Sequence, residues 1–305
     1  MGRPRRRLRW EPVRYNSRTQ RGVTVAFSIA AARGPLGAVP RVLGAAREVA
    51  THADLIRNLV VRDLKVRYRG SVLGVAWSLL NPLLMMAVFT LVFQVLNNSG
   101  IDRYPLFLMT ALIPWLFTQQ ALADAMRSVT SNAPLIKKVY FPREALPLSA
   151  VLAAFINFLV AFGVFWFVSL FFGVGTTRAM LMVPVIMLLQ LALVLGLSLI
   201  LATLNVFFRD TQHIVDILLL AWFFLTPVFY AMSIVPNTTF LGLDIHRWVF
   251  TLNPMATLVT DYRYALVWGF FPIRHTLVTA VVALALLGVG WWLFRRFSAR
   301  FAEEL

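Results

Sequence analysis

The sequence predicts an all-α integral membrane protein with six transmembrane helices, an N-terminal interfacial amphipathic helix, and re-entrant half-helices before the last span. Hydrophobic residues fill 59% of its 305 positions and the mean hydropathy is +0.74, whereas soluble domains are about 45–50% apolar. Several apolar runs reach the ~18 residues that cross a bilayer. Charge placement is the third observation. Of 29 Lys and Arg, 16 lie between Met1 and Arg69, against four acids (Glu11, Glu48, Asp54, Asp63). Most of the remainder sit at the ends of apolar runs, which is the pattern of cytoplasmic flanks. The net charge of +16 is therefore read as membrane topology, and no nucleic-acid partner is expected.

Cysteine is absent, which removes disulfides, thiolate metal sites and cysteine nucleophiles. The four histidines (His52, His213, His246, His275) share no ligand spacing, so no metal site is expected.

Residues 1–50 form a basic cytoplasmic extension with one short apolar stretch, Val23 to Ala32, that Arg33 ends without a convincing cleavage site. Such a segment can rest on anionic lipid. Residues 51–71 hold the amphipathic helix, with Leu55, Ile56, Leu59 and Val60 on one face and Arg62, Lys65 and Arg69 on the other. That pattern suits a helix lying in the interface with its basic groups toward headgroups. A cytosolic lead-in to the first span is the other reading.

The transmembrane domain covers residues 72–295. Its first span is placed at Val72 to Leu96, kinked at Asn81-Pro82, and its second at Tyr104 to Ala123 with Pro114 inside. A polar, basic cytoplasmic loop, 124–147, follows. The third span is placed at Leu148 to Phe172, the fourth at Met180 to Phe208, the fifth at Ile214 to Val235 and the last at His275 to Phe294. Residues 296–305 form a cytoplasmic tail. With the N-terminus inside, 24 Lys and Arg fall on inner segments and five (Arg103, Arg178, Arg247, Arg263, Arg274) on outer ones. Both termini are therefore expected in the cytoplasm. Without the extension the margin is eight to five, so the orientation leans on it.

Residues 236–272 are too apolar for a free loop, yet Asp244, Arg247, Asp261 and Arg263 interrupt them and Pro254 divides them. Two re-entrant half-helices meeting near Asn253-Pro254 fit this pattern, because non-helical backbone at membrane depth survives only beside protein or a water-filled cavity. An extracellular interfacial hairpin is the alternative.

The acids beside the spans are Asp124 and Asp216. Asp124 is expected to pair with Arg127, and Asp216 to cap the fifth span favourably at the positive end of its dipole. Neither pattern supports an ion-driven carrier. No GxxxxGK[ST] phosphate loop occurs, so transport energy would have to come from a partner. The candidate contact is Ala133 to Glu144. Pro134 suits a helix start, and Pro142 would end a helix of about two turns. Leu135, Ile136, Val139, Tyr140 and Phe141 would form an apolar plug rimmed by Lys137, Lys138 and Arg143. An anchor of this kind suits a small protein interface. A membrane-surface helix binding lipid phosphate fits the same residues.

Several motifs in order resemble the type-2 ABC export permeases, specifically the polysaccharide, O-antigen and teichoic-acid branch. They are Arg62-Asp63-Leu64-Lys65-Val66-Arg67-Tyr68-Arg69-Gly70-Ser71 with Leu73-Gly74, Trp77 and Asn81-Pro82-Leu83; Lys137-Lys138-Val139-Tyr140-Phe141-Pro142-Arg143-Glu144 with Pro147; Arg209-Asp210; Pro227-Val228-Phe229-Tyr230; and Leu252-Asn253-Pro254-Met255. The resemblance spans roughly residues 50–295, and residues 1–50 are longer than the family pattern.

The resemblance implies a homodimer around a central channel, with two separate ATP-binding-cassette ATPase subunits beneath it. ATP and Mg would be held by those partners and no cofactor by this chain, which is a transport subunit and not an enzyme. It further implies that Leu135 to Glu144 is the ATPase-coupling segment, and that Arg62, Lys65, Arg67, Tyr68 and Arg69 line lateral access for an undecaprenyl-diphosphate-linked glycan. Asn253, Pro254, Tyr262 and Arg263 would belong to an outer-side gate. The expected setting is the bacterial inner membrane. A drug or small-lipid export permease of the same superfamily is the alternative. A membrane-embedded transferase would need paired acids or a His-Asp pair in one loop, and none is found. The 25 Phe, 9 Trp and 7 Tyr could line a glycan channel, but packing is the expected role of any one of them, including Trp115, Phe155 and Trp166.

Overall fold

Periodic apolar faces, glycine stops and prolines set the helix boundaries in the computed structural model. It describes residues 53–71, 74–96, 100–101, 103–138, 141–171, 177–231, 239–240, 243–244 and 253–305. The 1–50 extension lies outside them.

Helix α1 runs Ala53–Tyr68, with Asp54 in its first turn and Lys65 and Arg67 in its last, both favourable to the helix dipole. Gly70 follows at φ 76°, a left-handed stop that suits a residue without a Cβ. Ile56, Leu59 and Val60 are buried as their spacing requires. What covers them is protein, because they join a cluster with residues 136, 145, 206, 294 and 301. The apolar face therefore packs on the chain itself, and the exposed face carries the basic residues.

A 3-10 turn, Gly74–Ala76, leads into α2 (Trp77–Thr90), which continues as a π turn, Leu91–Leu96. Helix α3 (Tyr104–Ser131) follows, then the short α4 (Ala133–Lys138), α5 (Ala145–Phe171) and α6 (Val183–Phe207), which a 3-10 turn, Arg178–Met182, introduces. Next come α7 (Thr211–Leu225), α8 (Pro254–Arg263) with a π turn at Tyr264–Trp268, α9 (Ile273–Ser298) and α10 (Phe301–Glu304). Among the described residues the exception to helix is an antiparallel strand pair, Thr239↔Asp244 and Phe240↔Leu243.

Four helices are long and apolar enough to cross a bilayer: Tyr104–Ser131, Ala145–Leu170, Arg178–Phe207 and Ile273–Ser298. The expected first and fifth spans correspond to shorter apolar helices, Leu79–Val95 and Thr211–Leu225. The reason is clearest at the fifth. Pro227 forces the residue before it out of helical geometry, so Thr226 turns extended (φ −96°, ψ 133°) and the helix stops at Leu225 rather than Val235. At 15 residues it is about 22 Å long against a hydrocarbon core of about 30 Å. Of the two half-helices expected around Asn253, the described residues contain the second, α8. Upstream, residues 239–240 and 243–244 are paired strands rather than helix.

Helix α3 is the hub, packed against α2, α5, α6 and α8. Helices α6 and α9 cross most closely, because Gly196 and Gly290 let the two backbones meet. A Cβ on Gly196 would lie 2.5 Å from Leu287 N, and one on Gly290 would lie 2.2 Å from Gly196 O. Small residues at such crossings are the usual means of tight helix packing in lipid.

Candidate functional site

The loop between α3 and α5 is built differently from the expected two-turn plug. Helix α4 has six residues. Ile136 is 6% exposed and points into the chain's own core, and half-buried Phe141 packs on the same cluster. Lys137 and Lys138 are exposed and Leu135 is half-buried. Val139 and Tyr140 lie outside the described residues. Beyond Pro142, an Arg143 guanidinium nitrogen donates to the Ser298 carbonyl, and Arg295 Nε donates to Glu144 Oε1 at 3.1 Å. The loop thus presents lysines outward, while Ile136, Phe141, Arg143 and Glu144 fasten it inward.

Helix α1 reaches the start of this loop. Arg62 Nη1 donates to Asn132 Oδ1 at 3.1 Å, and its other nitrogens engage Asp63. Arg67 pairs with Asp124, which also accepts from Gln120 Nε2 at 2.9 Å. The expected Asp124–Arg127 pair is replaced by this contact between helices, because α1 packs on α5 and its arginines reach across to α3 and its C-terminal end. Asp216 is exposed on α7. Lys65 and Arg69 flank an open groove on the exposed side of α1, with Asn58, Val61, Arg62 and Val66. Tyr68 closes the helix.

Arg67 also lines a cleft of about 290 Å³ between α2, α3 and α5. Its walls combine polar groups (Ser71, Asn81, Gln120, Asn157) with rings (Trp77, Phe117, Phe158). Trp77 is 48% exposed and Trp115 only 1%. The buried indole packs edge-on against Trp222 at 5.6 Å, as a core residue should, and Phe155 packs on Phe117 at 5.5 Å. Trp166, by contrast, is 39% exposed.

The four residues expected at an outer-side gate, Asn253, Pro254, Tyr262 and Arg263, sit among polar contacts. Asn253 caps α8, its Oδ1 accepting from Met255 N at 3.1 Å and Ala256 N at 3.2 Å, with Pro254 at the first helical position. The same oxygen accepts from Trp222 Nε1 at 2.8 Å, and Nδ2 donates to Thr226 Oγ1 at 3.0 Å, so the cap joins α7 to α8. Tyr262 Oη donates to Gln190 Oε1 at 2.9 Å, and Gln190 Nε2 donates to Pro114 O at 2.8 Å and Thr118 Oγ1 at 2.9 Å.

Arg263 is 2% exposed. An unpaired buried charge is expensive, and here the guanidinium donates to Val228 O at 2.6 Å and lies 3.7 Å from the centre of the Phe107 ring. Asp261, equally buried, accepts from Thr276 Oγ1 at 2.7 Å. Around residues 226–230, Phe229 packs on Phe89, Phe93 and Phe223 at 5.0–5.9 Å.

Sequence reasoning missed Gln190, Thr118 and Trp222, and it treated Asp261 as an interruption. A signal for Gln190 was present: it and Asn205 are the two amides in the apolar run of α6, and polar side chains inside spans usually bond across helices. Asn205 does so too, donating to Met126 O at 3.0 Å.

The sequence profile of the ABC-2 type transporter family matches residues 54–267. The chain is 35% identical over 260 residues to the O-antigen export system permease protein RfbA of Myxococcus xanthus, covering 85% of this chain and 98% of that protein. It is 32% identical over 253 residues to the RfbA permease of Klebsiella pneumoniae, covering 83% and 95%. With the polysialic acid transport protein KpsM of Escherichia coli, identity is 22% over 253 residues, covering 76% and 91%.

Proposed function

The chain belongs to the ABC-2 type transporter family, and on that footing we propose that it is the permease subunit of an ATP-driven exporter of lipid-linked polysaccharide. The observation that carries this is the 35% identity to an O-antigen export permease along 98% of that protein's length. The substrate is an undecaprenyl-diphosphate-linked glycan crossing the bacterial inner membrane. Two copies of the chain form the channel, and two ATP-binding-cassette subunits hydrolyse ATP beneath them.

The packing supports a six-crossing topology. Helix α1, the loop after α3, the end of α6 and the end of α9 share one buried cluster, so they lie on one side. Because α3 crosses, α2 must cross as well to bring the chain back. Because α9 crosses, the chain must already have crossed once between α6 and α9, and α7 is the apolar helix available. The positive charge of the N-terminal 69 residues supports a cytoplasmic position for that shared side.

On this reading Lys137 and Lys138 face the ATPase, and the inward contacts of Ile136 and Phe141 hold their helix in place. Arg62, Lys65, Arg67 and Arg69 attract the diphosphate headgroup, and the cleft behind Arg67 offers rings and amides to the first sugars. The buried α8 network forms a gate on the far side. Extraction in mild detergent is the test. Co-purification of an ATP-binding-cassette subunit, together with loss of surface glycan on deletion and unchanged drug sensitivity, is the expected result. A chain that purifies alone would sink the proposal.

A further inference from the structure

We infer that the end of α9 together with α10 is a positioning brace for the ATPase-coupling loop, with Arg295 and Phe301 as its key residues. This rests on reading Leu135 to Glu144 as the segment that meets the ATPase. The loop's inward contacts converge on residues 294–301. Arg295 Nε meets Glu144 Oε1 at 3.1 Å, and Arg143 donates to the Ser298 carbonyl. Glu144 is 12% exposed on its side chain and Arg295 39%, so the carboxylate sits largely out of water and the pair is only partly screened. Phe301 has no exposed surface. Its ring packs edge-on against Phe294 at 5.2 Å and against Phe207 at 6.0 Å, inside the cluster that also takes in Ile136 and is flanked by Phe141.

A six-residue helix cannot hold its own geometry in water, so its orientation must come from what it packs on. Here that support is the end of a long span. Helix α9 in turn meets α6 at the Gly196–Gly290 crossing, so a push on the loop reaches two spans through packed contacts. The brace fixes where Lys137 and Lys138 point and lets movement of the loop displace α9.

The experiment uses the full chain co-expressed with its ATPase, in cells lacking the wild-type gene. Glu144→Arg, Arg295→Glu, the milder Arg295→Gln and the double reversal are compared for three readouts: ATPase co-purification, ATP hydrolysis by the purified complex, and surface glycan per cell. The Arg295 variants should keep hydrolysing ATP while surface glycan falls severalfold in all single variants, and the double reversal should restore export. Loss of the ATPase from the single variants with its return in the double supports the brace equally. Wild-type glycan in all single variants, or assembled single variants whose lost export the double fails to restore, would overturn it. If the wild-type chain purifies without any ATPase, the docking assignment fails and the brace with it.

Discussion

Tyr262 on α8 donates its phenolic hydrogen to Gln190 on α6 at 2.9 Å, and Gln190 passes two further hydrogen bonds to Pro114 and Thr118 on α3. Three helices that are distant in sequence thus meet at one amide. Gln190→Leu should remove all three contacts and leave the Tyr262 hydroxyl buried without its partner, lowering stability by about 1–3 kcal/mol. Tyr262→Phe, which deletes the donor as well, should cost less. Thermal unfolding of the detergent-purified protein distinguishes them, and equal losses in the two variants would count against the network.

The α6–α9 crossing gives a steric prediction. Gly196→Ala places a methyl group 2.5 Å from backbone, where no side-chain rotation relieves it, and overpacking of this kind costs about 1–3 kcal/mol. Gly288→Ala, with nothing within 4 Å of its Cβ, is the control. Membrane-inserted yield and melting temperature should fall for the first and not for the second.

The loop between α3 and α5, proposed to meet the ATPase, separates outward from inward residues. Lys137→Glu with Lys138→Glu should weaken ATPase association and leave folding intact, since both side chains are exposed. Replacing Tyr140 and Phe141 with Ala should also reduce association while membrane insertion persists, but Phe141→Ala alone should lower the melting temperature, because its ring packs on the chain's own core. Co-purification at wild-type yield from the lysine variant would rule out the assigned face.

Arg67 and Asp124 give a test of lateral access. Arg67→Gln should cut surface glycan and preserve basal ATP hydrolysis, because Arg67 lines the cleft proposed for the substrate and lies outside the loop proposed to meet the ATPase. Asp124→Asn leaves that cation in place without its carboxylate partner, so its export defect should be smaller. The two export levels, measured side by side, decide the point, and a larger loss in Asp124→Asn would contradict the headgroup role of Arg67.

Much of the architecture was legible in the chain. Apolar run length located the four long spans, since any helix in lipid must satisfy its backbone within itself. The i, i+3, i+4 spacing of Ile56, Leu59 and Val60 located the buried face of α1. Asn253-Pro254 announced the start of α8, because an amide cap followed by proline is a local signal. Local signals also misled where two competed, and Pro227 outweighed the apolar run that continues past it.

Composition and hydropathy determined by themselves that this protein is a multi-helix membrane protein, since those properties depend on run length and residue type alone, and the order of its motifs carried the resemblance to export permeases. Tertiary structure decided the rest. Whether Asp124 met Arg127 or Arg67, whether Ile136 faced a partner or its own core, and which groups surrounded the buried Arg263 all depended on contacts between residues far apart in the chain. Such pairings are set by how whole helices pack, and a polar side chain's neighbours in sequence carry no record of which helix will lie across from it.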